Sequence, residues 1–284
     1  MPLSIVGTPI GNLEDFSVRG VRTLEEADLI AAEDTRNTIK LLNHFDIHTP
    51  MTAYHKFNEK AVTGELVEKM QAGAHIALVS DAGMPVLSDP GRILIRACQD
   101  AGIPVTAVPG PTASVTAVAL SGINCQHFVF YGFLGKSNQS IQEGLTAIEK
   151  SPWPVVVYET PHRLLKTLSK MAAQFPDREM SISREITKRY EQTRRDTVTG
   201  QLDYFTEHPP KGEFVLVIDG AGESAMVADD TAARLSEGPI AEHMAYYLNQ
   251  GMREKDAMKA VAKDRGISKR EVYKMVKIDG GSPS

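Results

Sequence analysis

The stretch ALVSDAGMPVLSDPG, residues 77–91, runs from the apolar end of a buried strand into a loop. Residues 81–91 of that loop hold two aspartates, two prolines and two glycines. Proline fixes its own backbone torsion and glycine admits left-handed turns, so neither a helix nor a strand can continue here. The stretch therefore predicts a core strand that ends in a stiff, acidic loop.

Apolar runs of strand length alternate with stretches of helical spacing through the first half of the chain. The runs are Leu3–Val6, Asp28–Ala32, Ile76–Val79, Val105–Val108 and Phe128–Phe133, and the helical stretches are Arg19–Ala27, Phe57–Gln71, Arg92–Ala101 and Ala113–Leu120. This alternation is typical of a mostly parallel sheet covered on both faces. Ligands of such sheets bind beyond the carboxyl ends of the strands. We therefore expect the site at the loops GTPIGN (7–12), EDTR (33–36), SDAGMP (80–85) and PGPT (109–112).

The second half of the chain also has strand candidates, at Pro154–Tyr158, Met180–Ser183 and Phe214–Ile218. The predicted fold class is therefore α/β, with two α/β domains and a small helical C-terminal segment. The expected divisions are an N-terminal α/β domain at 1–134, a polar linker at 135–153, a second α/β domain at 154–227 and a basic helical segment at 228–284.

Residues 252–277 hold nine Lys and Arg against four Asp and Glu. They are interpreted as two short helices joined at 266–268, with Ser268 as N-cap and Glu271 three residues later. Such a basic helix pair is compatible with an RNA or DNA contact, although a solvated charged face is the commoner explanation of a charge run.

The charge, the cysteines and the apolar stretches of the chain exclude several classes of protein. The 284 residues carry a net charge of −5, so the whole molecule is not a basic surface for nucleic acid. Cys98 and Cys125 lack CxxC spacing, which is typical of reduced thiols in a cytoplasmic protein. The N-terminus shows no signal-peptide pattern, and no apolar stretch approaches the ~18–20 residues that cross a bilayer. We expect a cytoplasmic protein without a membrane partner.

Several common cofactor and nucleophile motifs are absent from the sequence. GxGxxG, GxxxxGK[ST] and GxSxG do not occur, which disfavours nicotinamide, nucleoside triphosphate and serine-nucleophile chemistry. His44 and His48 are spaced for a metal, but Pro50 and the lack of a third ligand favour surface histidines. No metal site is predicted.

Asp81 and Asp89 are the two carboxylates of the opening loop. They are compatible with acid–base chemistry, or with turn and helix caps. A cap is the favoured interpretation of Asp89, because Pro90, Gly91 and a helix follow it. Asp81, at the strand end itself, is the better functional candidate.

Seven motifs of the sequence together carry a resemblance to a known family. They are VGTPIGNLED (6–15), AAEDTR (31–36), LVSDAGMPVLSDPG (78–91), VPGPTA (108–113), YETPHRL (158–164), REITKRYE (184–191) and GEFVLVIDG (212–220). Together they resemble the tetrapyrrole-methylase superfamily over nearly the whole chain, and within it the branch that methylates small-subunit ribosomal RNA. That branch transfers a methyl group from S-adenosylmethionine to a cytidine ribose 2′-oxygen.

The resemblance implies two α/β domains with the cofactor cleft between them, and a homodimer. It also implies S-adenosylmethionine as cofactor and small-subunit ribosomal RNA, or the assembled subunit, as partner. The implied cofactor contacts are Ile10, Val79, Ser80, Asp81, Met84, Thr112, Ala113, Glu159 and Ile186. Relatives usually read DAGTP, so Met84 replaces a threonine; a hydroxyl contact would be lost, whereas a backbone contact would not.

The implied chemistry needs a positioned hydroxyl and a proton acceptor or polarising cation. Glu185 and Lys188 are the catalytic candidates, and Arg36, Arg163 and Arg184 are the candidate RNA contacts. Two alternatives stay open: a porphyrinoid methyltransferase, and a non-catalytic RNA-binding assembly factor.

Overall fold

The computed structural model describes residues 2–222, 235–236, 238–249 and 251–279. The chain forms two compact units, Met1–Glu149 with Trp153–Asp219 and Lys150–Pro152 with Gly220–Ser284. The expected boundary between 227 and 228 lies outside the described residues. The predicted α/β class and the helical C-terminal segment are confirmed, and both sheets lie in the first of these units.

The first sheet is parallel throughout, in the order β3-β2-β4-β1-β5. Its strands are β1 Leu3–Val6, β2 Leu29–Ala32, β3 Met51–Ala53, β4 Ile76–Val79 and β5 Val105–Val108, and the helices are α1 Val18–Glu25, α2 Thr35–His44, α3 Glu59–Gln71, α4 Arg92–Asp100 and α5 Ala113–Ser121. β1 and β4 are buried on both faces, as their apolar sequences require. Because all five strands run the same way, the loops that follow them emerge at one edge.

The second sheet is mixed, in the order β6-β7-β10-β8-β9. Its strands are β6 Val129–Phe133, β7 Val155–Glu159, β8 Glu179–Arg184, β9 Gln192–Thr197 and β10 Phe214–Ile218, and its helices are α6 Asn138–Lys150, α7 Pro161–Ala172 and α8 Val198–Glu207. Only β6 and β7 pair in parallel among these strands; the other pairs are antiparallel. β6, grouped with the first domain on sequence grounds, belongs to this sheet.

Residues 135–153, expected as a polar linker, contain helix α6. Ile141, Leu145 and Ile148 are buried in the core of the second sheet with Leu134. These positions lie four and three residues apart, so one face of the helix is apolar although its overall composition is polar. The linker prediction was wrong for this reason.

Helix α5 follows the first sheet in sequence but packs against the second. Ala117 lies in a buried cluster with Val156, Val215 and Val217 of the second sheet and with Ile186, which follows β8. The Ser114 N–H donates to the Tyr158 hydroxyl at 3.2 Å, which ties the first turn of α5 to β7. The two sheets therefore share core residues.

The C-terminal unit is built from α9 Ile240–Asn249, α10 Glu254–Asp264 and α11 Lys269–Asp279. Ile240, Met244, Val261 and Val272 bury a small apolar core between these helices. The predicted helix pair with its turn at 266–268 is confirmed. Among the described helices of the chain, none is long and apolar enough to cross a membrane.

The predicted cap of α11 is present. Ser268 Oγ accepts from the Glu271 N–H at 3.3 Å, and Glu271 Oε2 accepts from the Ser268 N–H at 2.8 Å. This reciprocal pair is a capping box.

Removing the cap should loosen the start of α11. Ser268→Ala leaves the Glu271 N–H without its acceptor, which costs about 1 kcal/mol of helix stability. Hydrogen exchange of the amides in the first turn of α11 should accelerate about fivefold, while Ser268→Asp, which keeps an acceptor, should exchange like the parent. Equal exchange in all three proteins would contradict the capping role.

Candidate functional site

The loops that follow β1, β4 and β5 are joined by backbone hydrogen bonds. Thr8 and Gly83 exchange two such bonds, at 2.9 and 3.0 Å, and form an isolated antiparallel bridge. The Gly7 N–H donates to the Val108 carbonyl at 3.0 Å, and Thr8 Oγ1 donates to the Ser80 carbonyl at 3.2 Å. The loops predicted to hold the site therefore brace one another at the edge of the first sheet.

Two of these loops approach so closely that only glycine fits. A Cβ on Gly110 would lie 2.8 Å from the backbone of Gly7, and a Cβ on Gly7 would lie 2.6 Å from Met84 Sδ. Those separations are shorter than van der Waals contact. Glycine at both positions thus follows from backbone packing, not from phosphate binding.

A cavity of about 230 Å³ lies beside these loops. It is bounded by the loops after β1, β4 and β5, the start of α5, and the ends of β6, β7 and β10 that face it. Its lining residues are Ile10, Ala82, Gly83, Met84, Leu87, Ser88, Asp89, Thr112, Ala113, Phe133, Tyr158, Glu159, Thr160, Glu213, Phe214 and Val215. Both sheets thus contribute walls.

The structure brings together most, but not all, of the expected cofactor contacts. Ile10, Met84, Thr112, Ala113 and Glu159 line the cavity. The other four expected contacts do not line this cavity. Ile186 lines a smaller void of about 40 Å³ that shares Ile10, Ala113, Glu213 and Val215 with the cavity, whereas Val79, Ser80 and Asp81 are outside the lining.

The two aspartates of the acidic loop have the opposite placement from that expected. Asp81 is exposed and accepts from Asn37 Nδ2 at 3.0 Å. Asp89 is half-buried and lines the cavity. Helix α4 has Gly91 as its N-cap and no side-chain cap bond, so the cap interpretation of Asp89 was wrong. Val86 and Ser88 adopt left-handed φ values of 78° and 75°, and these torsions set the path of the loop that carries Asp89.

Burial shifts the acid–base properties of this loop. It raises the pKa of Asp89 to about 6, with the negative charges of Glu33 and Asp81 acting the same way and a hydrogen bond with Ser80 opposing them. Burial likewise raises the pKa of Glu33. A carboxyl group at the cavity wall therefore titrates near neutrality.

Glu159 is a fully buried carboxylate at the end of β7. Its oxygens accept from the Thr160 N–H at 2.8 Å and the Thr167 hydroxyl at 2.7 Å, and Arg163 Nε lies 3.3 Å away. Arg163 also donates to the carbonyls of Leu134 and Gly135 at 3.0 and 3.1 Å. Arg163, an expected RNA contact, is thus largely committed inside the protein.

The expected catalytic pair forms an ion-pair network with a residue that sequence reasoning missed. Lys188 Nζ lies 3.1 Å from Glu185 Oε1 and 2.7 Å from Glu213 Oε2. Burial alone would raise the pKa of Glu185, but hydrogen bonds from the Glu213 N–H and Lys188 outweigh it and lower that pKa. Burial opposes the charge of Lys188, yet the two carboxylates hold its pKa above the usual value. Glu185 is therefore a weak base, and Lys188 remains a cation.

Arg36 and Arg184, the other two expected RNA contacts, differ in their hydrogen bonding. Arg36 is exposed and pairs with Asp34, its neighbour on the EDTR motif, at 2.6 Å. Arg184, at the end of β8, has a buried Nε without a hydrogen-bond partner among the described residues. Of the two, Arg184 lies in the strand that leads to Glu185 and Lys188.

Comparisons with known proteins place this arrangement in a family. The family model for tetrapyrrole (corrin/porphyrin) methylases matches residues 2–201. This chain belongs to that family. The family accounts for the motif order, and the resemblance predicted from the motifs is confirmed.

Curated relatives indicate to which branch of the family the chain is most similar in sequence. Ribosomal RNA small subunit methyltransferase I of Halalkalibacterium halodurans is 44% identical over 95% of this chain and 93% of its own length. The protein of the same name from Bacillus subtilis is 41% identical over 95% of this chain and 92% of its own length. The chain is thus a methyltransferase-family member of that branch.

Solved structures share the fold at low identity. Uroporphyrin-III-C-methyltransferase from Thermus thermophilus superposes with a TM-score of 0.53 at 19% identity, over 80% of this chain and 97% of that one. Diphthine synthase gives a TM-score of 0.59 at 14% identity, over 76% of this chain and 89% of that one. These similarities concern the fold alone.

Proposed function

We propose that the protein transfers a methyl group from S-adenosylmethionine to the ribose 2′-oxygen of a cytidine in small-subunit (16S) ribosomal RNA, in the cytoplasm. The observation that carries the proposal is a two-walled cavity of about 230 Å³ whose loops are closed without a phosphate-binding glycine nest. The relatives named for methylation of small-subunit ribosomal RNA support the substrate class.

The lining residues fit a donor that is cationic and lacks phosphate. Ile10, Met84 and Val215 offer apolar surface, Phe133 and Tyr158 offer aromatic faces, and Asp89 offers a carboxylate for a positive charge. Bound here, S-adenosylmethionine would supply an activated methyl group on a sulfonium. Met84, which replaces a threonine, is half-buried at the wall, so this position contacts the donor through apolar atoms or backbone.

The chain's own contribution to the chemistry is chiefly positioning. Aligning the hydroxyl oxygen, methyl carbon and sulfur at attack distance is worth up to ~7–11 kcal/mol. The braced loops after β1, β4 and β5 hold one wall in place, and the buried Glu159–Arg163 pair holds the other. Lys188, kept protonated by Glu185 and Glu213, suits the polarising cation near the second-sheet wall.

RNA would meet basic residues close to the second wall. Lys136, Lys166 and Lys170 line a groove of about 220 Å³ together with Arg163, and Arg163 reaches from that groove to Glu159 of the cavity. A phosphate in the groove would bring a neighbouring ribose toward the cavity. Arg36, Arg184 and the basic residues of α10 and α11 are further candidates for phosphate contacts, which carry most of the salt-dependent affinity for RNA.

Homodimer formation is part of the proposal. The edge strand β6 and its flanks leave Phe128, Val129, Tyr131 and Phe133 substantially exposed, with Leu87 also exposed on the loop after β4. An apolar edge of this kind invites pairing with a second chain. Sedimentation of the parent and of Tyr131→Lys should separate a dimer from a monomer.

The function is tested with purified protein in two steps. Calorimetry should detect heat on adding S-adenosylmethionine, and labelled methyl groups should then pass to small ribosomal subunits or their RNA, with ribose methylation mapped to a cytidine. Transfer to uroporphyrinogen or a corrinoid instead would replace the RNA substrate by a porphyrinoid. Donor binding without transfer to any ribosomal substrate would favour a non-catalytic assembly factor.

A further inference from the structure

Three carboxylates line the cavity, Asp89, Glu159 and Glu213, and two of them are already committed. Glu159 accepts from the Thr160 N–H and the Thr167 hydroxyl and faces Arg163 at 3.3 Å. These three partners hold the carboxylate inside the wall. Glu159 is therefore a structural group of the wall.

Glu213 is committed in another way. Its Oε2 lies 2.7 Å from Lys188 Nζ, and its side chain is 82% exposed. Glu213 is thus an exposed carboxylate that is already paired with a lysine. Glu185 shares the same lysine and has a lowered pKa, so Glu185 is poorly suited to accept a proton near neutral pH.

Asp89 remains. No ion pair of the described residues includes it, and the charged groups that face it, Glu33 and Asp81, are both acidic. Its loop is fixed by the left-handed residues Val86 and Ser88 and by Gly91, at φ 135°, whose missing side chain leaves room for Leu78 and Val86. The carboxylate is thus held at the wall without a cation to lower its basicity.

We propose that Asp89 is the general base of the methyl transfer. This inference rests on the proposed function. Asp89 accepts the proton of the attacking ribose hydroxyl, the hydroxyl oxygen forms a bond to the methyl carbon, and the carbon–sulfur bond breaks with its electron pair going to sulfur. The products are a methyl ether, a neutral thioether and a protonated Asp89, which returns its proton to solvent.

The donor's charge adds a consequence that can be measured apart from activity. Asp89, with a pKa of about 6, is half protonated at pH 6. A sulfonium in the same cavity favours the ionised carboxylate and lowers its pKa. Donor binding should therefore release up to about half a proton at pH 6, whereas S-adenosylhomocysteine, whose sulfur is neutral, should release less.

Calorimetry at pH 6 in two buffers of different ionisation enthalpy measures this release. The parent protein should show it with S-adenosylmethionine, and Asp89→Asn should bind the donor without it. Equal proton release in the two proteins would overturn the role of Asp89 while leaving donor binding intact. Absence of heat with either ligand would instead remove the proposed function, and this inference with it.

Methyl transfer to small-subunit RNA provides the second test. At saturating donor, Asp89→Asn should lower kcat about 100- to 10,000-fold, while donor KM rises up to about tenfold because the carboxylate–sulfonium attraction is lost; Asp89→Glu should restore part of the rate. The parent kcat/KM should rise with pH through about 6, and this inflection should vanish in Asp89→Asn. Asp100→Asn, an exposed carboxylate on α4, is the matched control and should behave like the parent. A kcat of Asp89→Asn within threefold of the parent would overturn the inference.

The folding of Asp89→Asn is checked by the pH dependence of its stability. The raised pKa means that the folded state favours protonated Asp89, so this contribution to stability is lost as pH rises through about 6. Asparagine resembles the protonated form, and Asp89→Asn should therefore be at least as stable as the parent at pH 8. A stable variant with parental activity at every pH would overturn the assignment.

Discussion

Replacing Arg163 with alanine is expected to lower the free energy of unfolding by about 3–5 kcal/mol, because it leaves a buried charge without its cation. The Glu159 side chain is fully buried, and the Arg163 side chain is 29% exposed. The substitution also removes the donors to the Leu134 and Gly135 carbonyls. Urea unfolding followed by the fluorescence of Trp153, the single tryptophan, reports on the start of β7.

Two variants separate the buried charge from simple loss of the side chain. Arg96→Ala removes an exposed partner of Asp100 and should leave the unfolding midpoint unchanged. Adding Glu159→Gln to Arg163→Ala should recover part of the lost stability, because the orphaned charge is gone. A loss below about 1 kcal/mol in Arg163→Ala would mean that Glu159 does not depend on this arginine.

Gly110→Ala is expected to have the second large effect. Its Cβ would lie 2.8 Å from the backbone of Gly7, and neither backbone can yield without moving the braced loops. Overpacking of this kind costs about 3 kcal/mol. Because Thr112 and Ala113 lie two and three residues further along the same loop and line the cavity, we also expect at least a tenfold loss of S-adenosylmethionine affinity, measured by calorimetry.

The chain offers a matched glycine for comparison. Gly64 lies within α3, and a Cβ there would meet nothing within 4 Å. Gly64→Ala should therefore raise stability by about 0.5–1 kcal/mol and leave donor binding unchanged. Parental melting and affinity in Gly110→Ala would show that the contact between the two loops is not rigid.

The sequence predicted the parallel sheet and its loops well, for a physical reason. A parallel strand that is buried on both faces is mostly apolar, so β1 and β4 stand out as apolar runs that loops interrupt. Phe214–Ile218 was predicted with the bounds that the structure has. The polar edge strand β9, QTRRDT, carries no such signal, and it was missed.

The site could be predicted only to the level of loops. Asp81 lies two residues after its strand, yet its side chain faces Asn37, while Asp89 reaches the cavity through left-handed residues at Val86 and Ser88. Non-glycine residues rarely adopt a positive φ, so no sequence pattern predicts these left-handed residues. The pairing of Lys188 with Glu213 joins residues 25 positions apart, and only the antiparallel pairing of β8 with β10 brings them together.

Strand β10 lies in the middle of the second sheet and supplies Phe214 and Val215 to the cavity wall, next to Glu213, which precedes the strand. During synthesis, a nascent chain that has not yet released this strand from the ribosome lacks one wall of the pocket and the partner of β7 and β8. The cavity is therefore incomplete until residues 213–215 have emerged. A shorter nascent chain lacks this wall and, on the proposed function, does not yet bind the methyl donor.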